Sequence, residues 1–178
     1  MSRFYFIKQQ EAIKDGIACL AMIFRYHGKN YHLATISEMC DTVDDGISMD
    51  SISNIAERLG MHTIIGWISV NRLNRTTLPC ILRWDKDHFV VLRKIRRGKY
   101  YVADPAKGLI KYNESEFRKH WISIKCGDEE KGEAIFLKPT NDFFEHKDKD
   151  FNSQNRLKRY IKRILEYLKK TYETLSNR

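Results

Sequence analysis

The sequence contains no apolar run long enough to cross a bilayer, and its first ten residues, MSRFYFIKQQ, hold no signal-peptide core. These two absences give a cytoplasmic chain as the expectation. Cysteine is sparse: Cys19, Cys40, Cys80 and Cys126 lie far apart and form no CxxC pair, so neither a zinc knuckle nor a dithiol redox motif is indicated. Free thiols, mainly buried, are expected in such a compartment. Internal repeats and low-complexity segments are missing. The acidic run DTVDDG at 41–46 lacks the spaced ligands of an EF-hand loop and reads as a solvated turn. No nucleic-acid recognition motif accompanies the basic charge balance. No metal, cofactor or nucleic-acid partner is therefore expected.

What is present is enough for one domain with a sizeable core: 178 residues of ordinary globular composition. The net charge is +9, much of it in the last third. The N-terminal part reads as helical. DGIACLAMIFRYHG places Ile17, Leu20, Ala21 and Phe24 at helical spacing, with Gly28 as a stop. HLATISEMCD and SMDSISNIAERLG read as two more short helices, the second with the stripe Ile52, Ile55, Ala56, Leu59 and a stop at Gly60. The pattern then changes to short runs rich in β-branched and aromatic residues: HTIIGWISV, PCILRW, HFVVLRKI, KYYVAD, GLIKY and GEAIFLKP. NESEFRKHW reads as a helix or turn among them. A hairpin is expected at Arg97-Gly98. Helices followed by an antiparallel sheet indicate an α+β fold. From Thr140 the composition turns polar, TNDFFEHKDKDFNSQN, and reads as a linker. RLKRYIKRILEYLKKTYETL then reads as one basic amphipathic helix with Leu157, Ile161, Ile164 and Leu168 on its apolar side.

A peptidase of the papain type needs a thiol at a helix N-terminus, a histidine base, a group that orients the histidine, and an oxyanion-holding amide. His88 opens the strand HFVVL and Asp104 ends the strand KYYVAD. A hairpin through Gly98 brings those two strand ends to one edge of a sheet. Gln9 and Gln10 precede the first helix, where either can supply an amide.

The residues Gln9, Glu11, Gly16, Ala18, Cys19, Leu20, Ala21 and Met22 fit the pattern Q-x-D/E-x-x-D-C-G-x-A-C-L-A-M without a gap. DHFVVL at 87–92, DPAKG at 104–108 and KGEAIFLKPTNDF at 131–143 match three further motifs. On these stretches the chain, from about residue 6 to residue 143, resembles the peptidase domain of bacteriocin-processing ABC transporters. That family consists of papain-like cysteine peptidases that cut leader peptides after a double glycine. The resemblance implies a papain-like α+β fold over residues 1–143; composition alone gives a polar linker at 144–154 and a basic helix at 155–178 after it. The resemblance also implies that His88 and Asp104 are the base and its partner, and that Gln9 is the oxyanion amide.

The match departs from the family at one chemically decisive position. The register puts the nucleophile at Asp15, and Lys14 stands where the family has aspartate; Asp87 replaces an asparagine before His88. A carboxylate is a poor nucleophile towards an amide, but it is well placed at the positive end of a helix. The resemblance thus implies a degenerate domain that binds a leader or substrate peptide without cleaving it. Two alternatives stand beside it. Cys19, one turn deeper on the same helix face, is the substitute nucleophile of an active peptidase. A basic adaptor working mainly through the C-terminal helix is the other. The partners implied are a leader-bearing peptide and an ABC transporter, with the C-terminal helix meeting an anionic membrane surface at the inner face of the membrane. His27, His32, His62, His120 and His146 match no site pattern and read as surface or packing residues. Trp67, Trp84 and Trp121 read as core or groove walls.

Overall fold

The structure, a computed structural model, describes residues 4–8, 14–40 and 47–145. Gln9, the DTVDDG run and everything from His146 onward, including the basic segment 155–178, lie outside the described residues. Met1–Glu145 forms one compact unit.

Helix α1 (Asp15–Tyr26) is the centre of the fold. Its sequence suggests one apolar stripe, yet every residue from Gly16 to Phe24 is buried. A helix that is apolar all round must be enclosed on all sides. Helices α2 (Leu33–Ser37) and α3 (Met49–Arg58) and strand β3 (His88–Arg96) pack against it. Gly16 makes one of these approaches possible. A Cβ there would lie 2.7 Å from both Ile47 Cγ2 and Ile52 Cδ1, so a larger residue would push α1 off the start of α3. α3 itself is set by Ser48, whose side chain accepts the Ser51 N–H as an N-cap.

The remaining strands are β1 (Met61–Ser69), β2 (Cys80–Trp84), β4 (Lys99–Asp104), β5 (Gly108–Asn113), β6 (Ile124–Cys126) and β7 (Glu129–Pro139). They form an antiparallel sheet in the order β1-β7-β2-β3-β4-β5, with β6 paired to β7 off that path. The hairpin between β3 and β4 turns through Arg97 and Gly98, at φ +51° and +67°. Two consecutive left-handed residues make the tight turn that matches strand twist. Helix α5 (Glu114–Trp121) starts at a capping box formed by Asn113 and Glu116. It lays Phe117 and Trp121 on a core of Trp84, Tyr100, Leu82 and Val102. The Tyr100 and Phe117 rings stack at 4.2 Å.

Three elements differ from the sequence-based expectation. A single turn, α4 (Val70–Leu73), and the short strand β6 carry too few residues to show a period. The third, α6 (Asn141–Glu145), corrects the linker expected from Thr140. Phe143 is fully buried, its ring 5.8 Å from that of Phe24. Thr140 bonds the Gly60 carbonyl through both its N–H and its hydroxyl. A polar stretch reads as linker by composition, but one aromatic residue is enough to dock it. Trp67 also departs from expectation, with 41% of its surface exposed, whereas Trp84 and Trp121 are buried as expected. Of the cysteines, Cys19 and Cys80 are buried, Cys40 is half-buried and Cys126 is exposed. Among the described residues, no helix is long and apolar enough to cross a membrane.

Candidate active site

Two elements distant in sequence meet at the start of β3. Lys14 is the N-cap of α1, and Asp15 is the first helical residue. The Asp15 carboxylate reaches across to β3. Its Oδ2 accepts from His88 Nδ1 and, at 2.9 Å, from the Phe89 backbone N–H. Its Oδ1 accepts the Gly16 N–H at 2.7 Å. The carboxylate thus joins the positive end of a helix to an imidazole and a strand amide, three donors on two oxygens.

On the other side of the ring, His88 Nε2 lies 2.9 Å from Asp104 Oδ1. Asp104 ends β4 and is wholly buried. The hairpin expected from the sequence, with a bulge between Leu92 and Lys94 that shifts its register by one residue, produces this contact. The β3–β4 register pairs Val91 with Ala103, so the two strand ends emerge together. The Pro105–Gly108 turn then folds back, and Asp104 Oδ1 accepts the N–H groups of Ala106 at 2.9 Å and Lys107 at 3.1 Å. Those two amides orient the carboxylate, as aspartate does at the start of a turn. Among the described residues, Asp104 Oδ2 is buried without a hydrogen-bond partner, and so is Trp84 Nε1 on the strand that pairs with His88.

The protonation state of His88 follows from geometry. A neutral imidazole has one N–H and one lone pair, so one carboxylate would face a lone pair at hydrogen-bond distance. Only the imidazolium donates to both. Burial alone lowers the His88 pKa, but the hydrogen bonds and negative charges of Asp15 and Asp104 overcome it and raise the value. Two carboxylates and one imidazolium leave the cluster with one net negative charge. An imidazolium held on both sides has no free lone pair, so it cannot take a proton from a nucleophile without releasing one aspartate.

Cys19 lies one turn further into α1 and is fully buried. Burial pushes its thiol pKa far up, and the negative charges of Asp15 and Asp104 push it further. Such a thiol stays neutral at physiological pH and is a weak nucleophile. Asp87, beside His88, is exposed on the β2–β3 turn. Gln9, the expected oxyanion amide, is outside the described residues. The DPAKG motif could have signalled the turn amides that hold Asp104, because an aspartate before proline favours such a turn. The Phe89 N–H has no sequence signal, since any residue but proline would supply it. Among the described residues, no cluster of three His, Cys, Asp or Glu side chains is placed to hold a metal ion.

A separate groove of about 470 Å³ is lined in part by the apolar residues Ile64, Leu78, Pro79 and Phe136. His27, His62, Arg75 and Lys138 line it as well. His27 is the C-cap of α1, so the groove lies at the opposite end of that 12-residue helix from Asp15. At 1.5 Å per residue the separation is about 18 Å.

Comparison with known proteins follows the same lines. The profile of the family described as "Peptidase C39 family" matches residues 3–129. The chain is 36% identical over 118 residues to the probable microcin-H47 secretion/processing ATP-binding protein MchF of Escherichia coli. That match covers 66% of this chain and 17% of the relative, so the chain spans about one sixth of its length. Among solved structures, it resembles a double glycine motif protease from an AMS/PCAT transporter in complex with the leader peptide. There the TM-score is 0.69 at 29% identity, covering 78% of this chain and 94% of that one. The peptidase domain of Streptococcus ComA has a TM-score of 0.66 at 23% identity, covering 78% and 100%.

Proposed function

The chain belongs to the Peptidase C39 family, and from that membership we propose that it is a degenerate leader-peptidase domain that holds a leader-bearing peptide without cutting it. The observation that carries this proposal is Asp15. It sits at the N-terminus of the central helix, in hydrogen-bond contact with His88, where a papain-like enzyme needs a thiol. A thiolate–imidazolium pair has become a carboxylate–imidazolium pair. The charge pattern is kept and the nucleophile is lost. Attack by Asp15 on an amide would form an anhydride, a product less stable than the bond broken. Cys19 offers no substitute, because its thiol is buried and both nitrogens of His88 are occupied.

Binding needs a surface as well as a spent site. The groove lined by Ile64, Leu78, Pro79 and Phe136 supports it, with a volume inside the usual range for ligand sites. Strand β2 runs between the groove, at Pro79, and the site, at Trp84 opposite His88. Five residue steps of roughly 3.3 Å make this about 17 Å, close to the length of α1. A peptide held at both places would be a helix of about three turns or a shorter extended segment. Relatives in the family are secretion and processing proteins with ATP-binding parts, and an exporter is the partner we propose for this domain. The segment 155–178 is proposed as its contact with an anionic membrane surface.

The test uses the purified chain and synthetic double-glycine leader peptides. Calorimetry is expected to show binding, and mass spectrometry no thiol-dependent cleavage. Steady turnover that disappears on alkylation and in Cys19→Ala would overturn the degenerate assignment. Absence of binding to every leader tried would overturn the peptide-holding role.

A further inference from the structure

Between Arg93 and Lys111 the chain carries seven basic residues and one acidic residue, Asp104, which is buried. The strand register decides where they go. Lys94 pairs with Tyr101 and Tyr101 with Lys111; Arg96 pairs with Lys99 and Lys99 with Asn113. Directly paired residues share a sheet face. The opposite face holds Tyr100 and Val102, which pack in the core under α5. Lys94, Arg96, Lys99 and Lys111 are therefore displayed together, and all four are exposed. None of them forms an ion pair among the described residues. Leu109, on the same face of the edge strand β5, is 54% exposed.

We propose that this outer face of β3, β4 and β5 is a docking surface for an anionic lipid bilayer. The proposal goes beyond the peptide-holding role and uses different residues. The charge pattern requires an anionic partner, and two features favour lipid. The rows of cations lie side by side at the turn end of one sheet face, beyond the buried Val91 and Ala103, with strands about 4.8 Å apart, which offers a contact to a plane of headgroups. The central aromatic, Tyr101, is capped by Lys94, whose Nζ lies 4.4 Å from the ring centroid, with Arg93 at 5.9 Å. A capped ring is a poor platform for stacking nucleic-acid bases. An exposed leucine and nearby aromatic residues beside basic ones suit the headgroup boundary. Phe4 extends this surface, with Arg93 over its ring. The hairpin turn is eight residues from His88 along β3, about 26 Å at roughly 3.3 Å per residue. Docking centred on the turn therefore leaves the Asp15–His88 site open.

The test is co-sedimentation of the full chain with phosphatidylcholine vesicles, with and without phosphatidylglycerol. Three proteins are compared at low salt: the unmodified chain, Lys94→Glu/Arg96→Glu/Lys99→Glu/Lys111→Glu, and the charge-matched control Arg72→Glu/Lys119→Glu/Lys125→Glu/Lys138→Glu. All three keep segment 155–178, so its contribution is common to them. Each cation at an anionic surface strengthens binding about fivefold, so the sheet-face variant is expected to bind about a hundredfold or more weakly. The control is expected to lose much less. The unmodified chain is expected to prefer the anionic vesicles and to release as salt rises, an arm that needs no variant to fold. Equal losses in the two variants would show a mere net-charge effect and overturn the proposal. So would an unchanged sheet-face variant, no preference for anionic vesicles, or binding to polyuridylate or an acidic protein in place of vesicles.

Discussion

Asparagine at position 15 keeps the shape of Asp15 and removes one charge from the His88 clamp. An asparagine amide facing His88 Nδ1 can donate to it, which favours the neutral ring. The bond lost is charge-assisted, worth roughly 1.5–3 kcal/mol when shielded from water. The His88 and Asp15 side chains are 24% and 14% exposed, so solvent screening trims the loss to about 1–2 kcal/mol. The His88 pKa should fall with it, because one of the two carboxylates that raise it is gone. The sign with pH follows from the direction of the shift. Folding raises the His88 pKa, because the two carboxylates outweigh the opposing effect of burial. The imidazolium's contribution is therefore complete below the unfolded histidine value of about 6.5 and is lost as pH rises through the folded value. Asp15→Asn should be less stable than the unmodified protein at pH below about 6.5, and the gap should narrow as pH rises. Urea unfolding across a pH series gives the gap, and NMR titration of the His88 ring gives the pKa. A His88 ring that titrates alike in both proteins, or a gap that grows with pH, would refute the double-carboxylate clamp.

Other perturbations probe the neighbouring links. Asp15→Cys places a thiol at a helix N-terminus against His88, where dipole and imidazolium both lower its pKa, so it should react with iodoacetamide faster than free cysteine. Some double-glycine cleavage should return, and adding His88→Ala should abolish it; a slow thiol with no cleavage would mean that more than the nucleophile has been lost. Phe143→Ala should destabilise the domain by roughly 3–5 kcal/mol, because the ring is fully buried against Phe24. A loss near zero in chemical denaturation would return residues 140–145 to the status of a linker. Gly60→Ala should also be costly, since φ is +85° and the added Cβ would lie 2.4 Å from the Phe143 backbone nitrogen. Strain and clash together suggest at least about 2 kcal/mol, and a thermal midpoint equal to that of the unmodified chain would contradict that packing.

Local rules in the sequence determined most elements of this protein. Period 3.6 in α1 and α3, β-branched runs in the strands, the capping residues of α5 and the Arg97-Gly98 turn are all short-range signals. They name elements without a partner strand being known. The hairpin also placed His88 and Asp104 at one sheet edge, but a bulge between Leu92 and Lys94, which shifts the register by one residue, put the two side chains on one face. Asp15 stood out only against the family pattern that the chain resembles. Tertiary structure alone decided what that residue touches. The contact between α1 and the start of β3 spans 73 positions, and no local period encodes it. It also decided that both ring nitrogens of His88 face carboxylates, that Cys19 is enclosed, and that Phe143 docks a segment polar by composition. The basic face belongs to both levels. The sequence supplied seven cations in a short stretch, and antiparallel register collected four of them on one side of the sheet, because directly paired residues share a face.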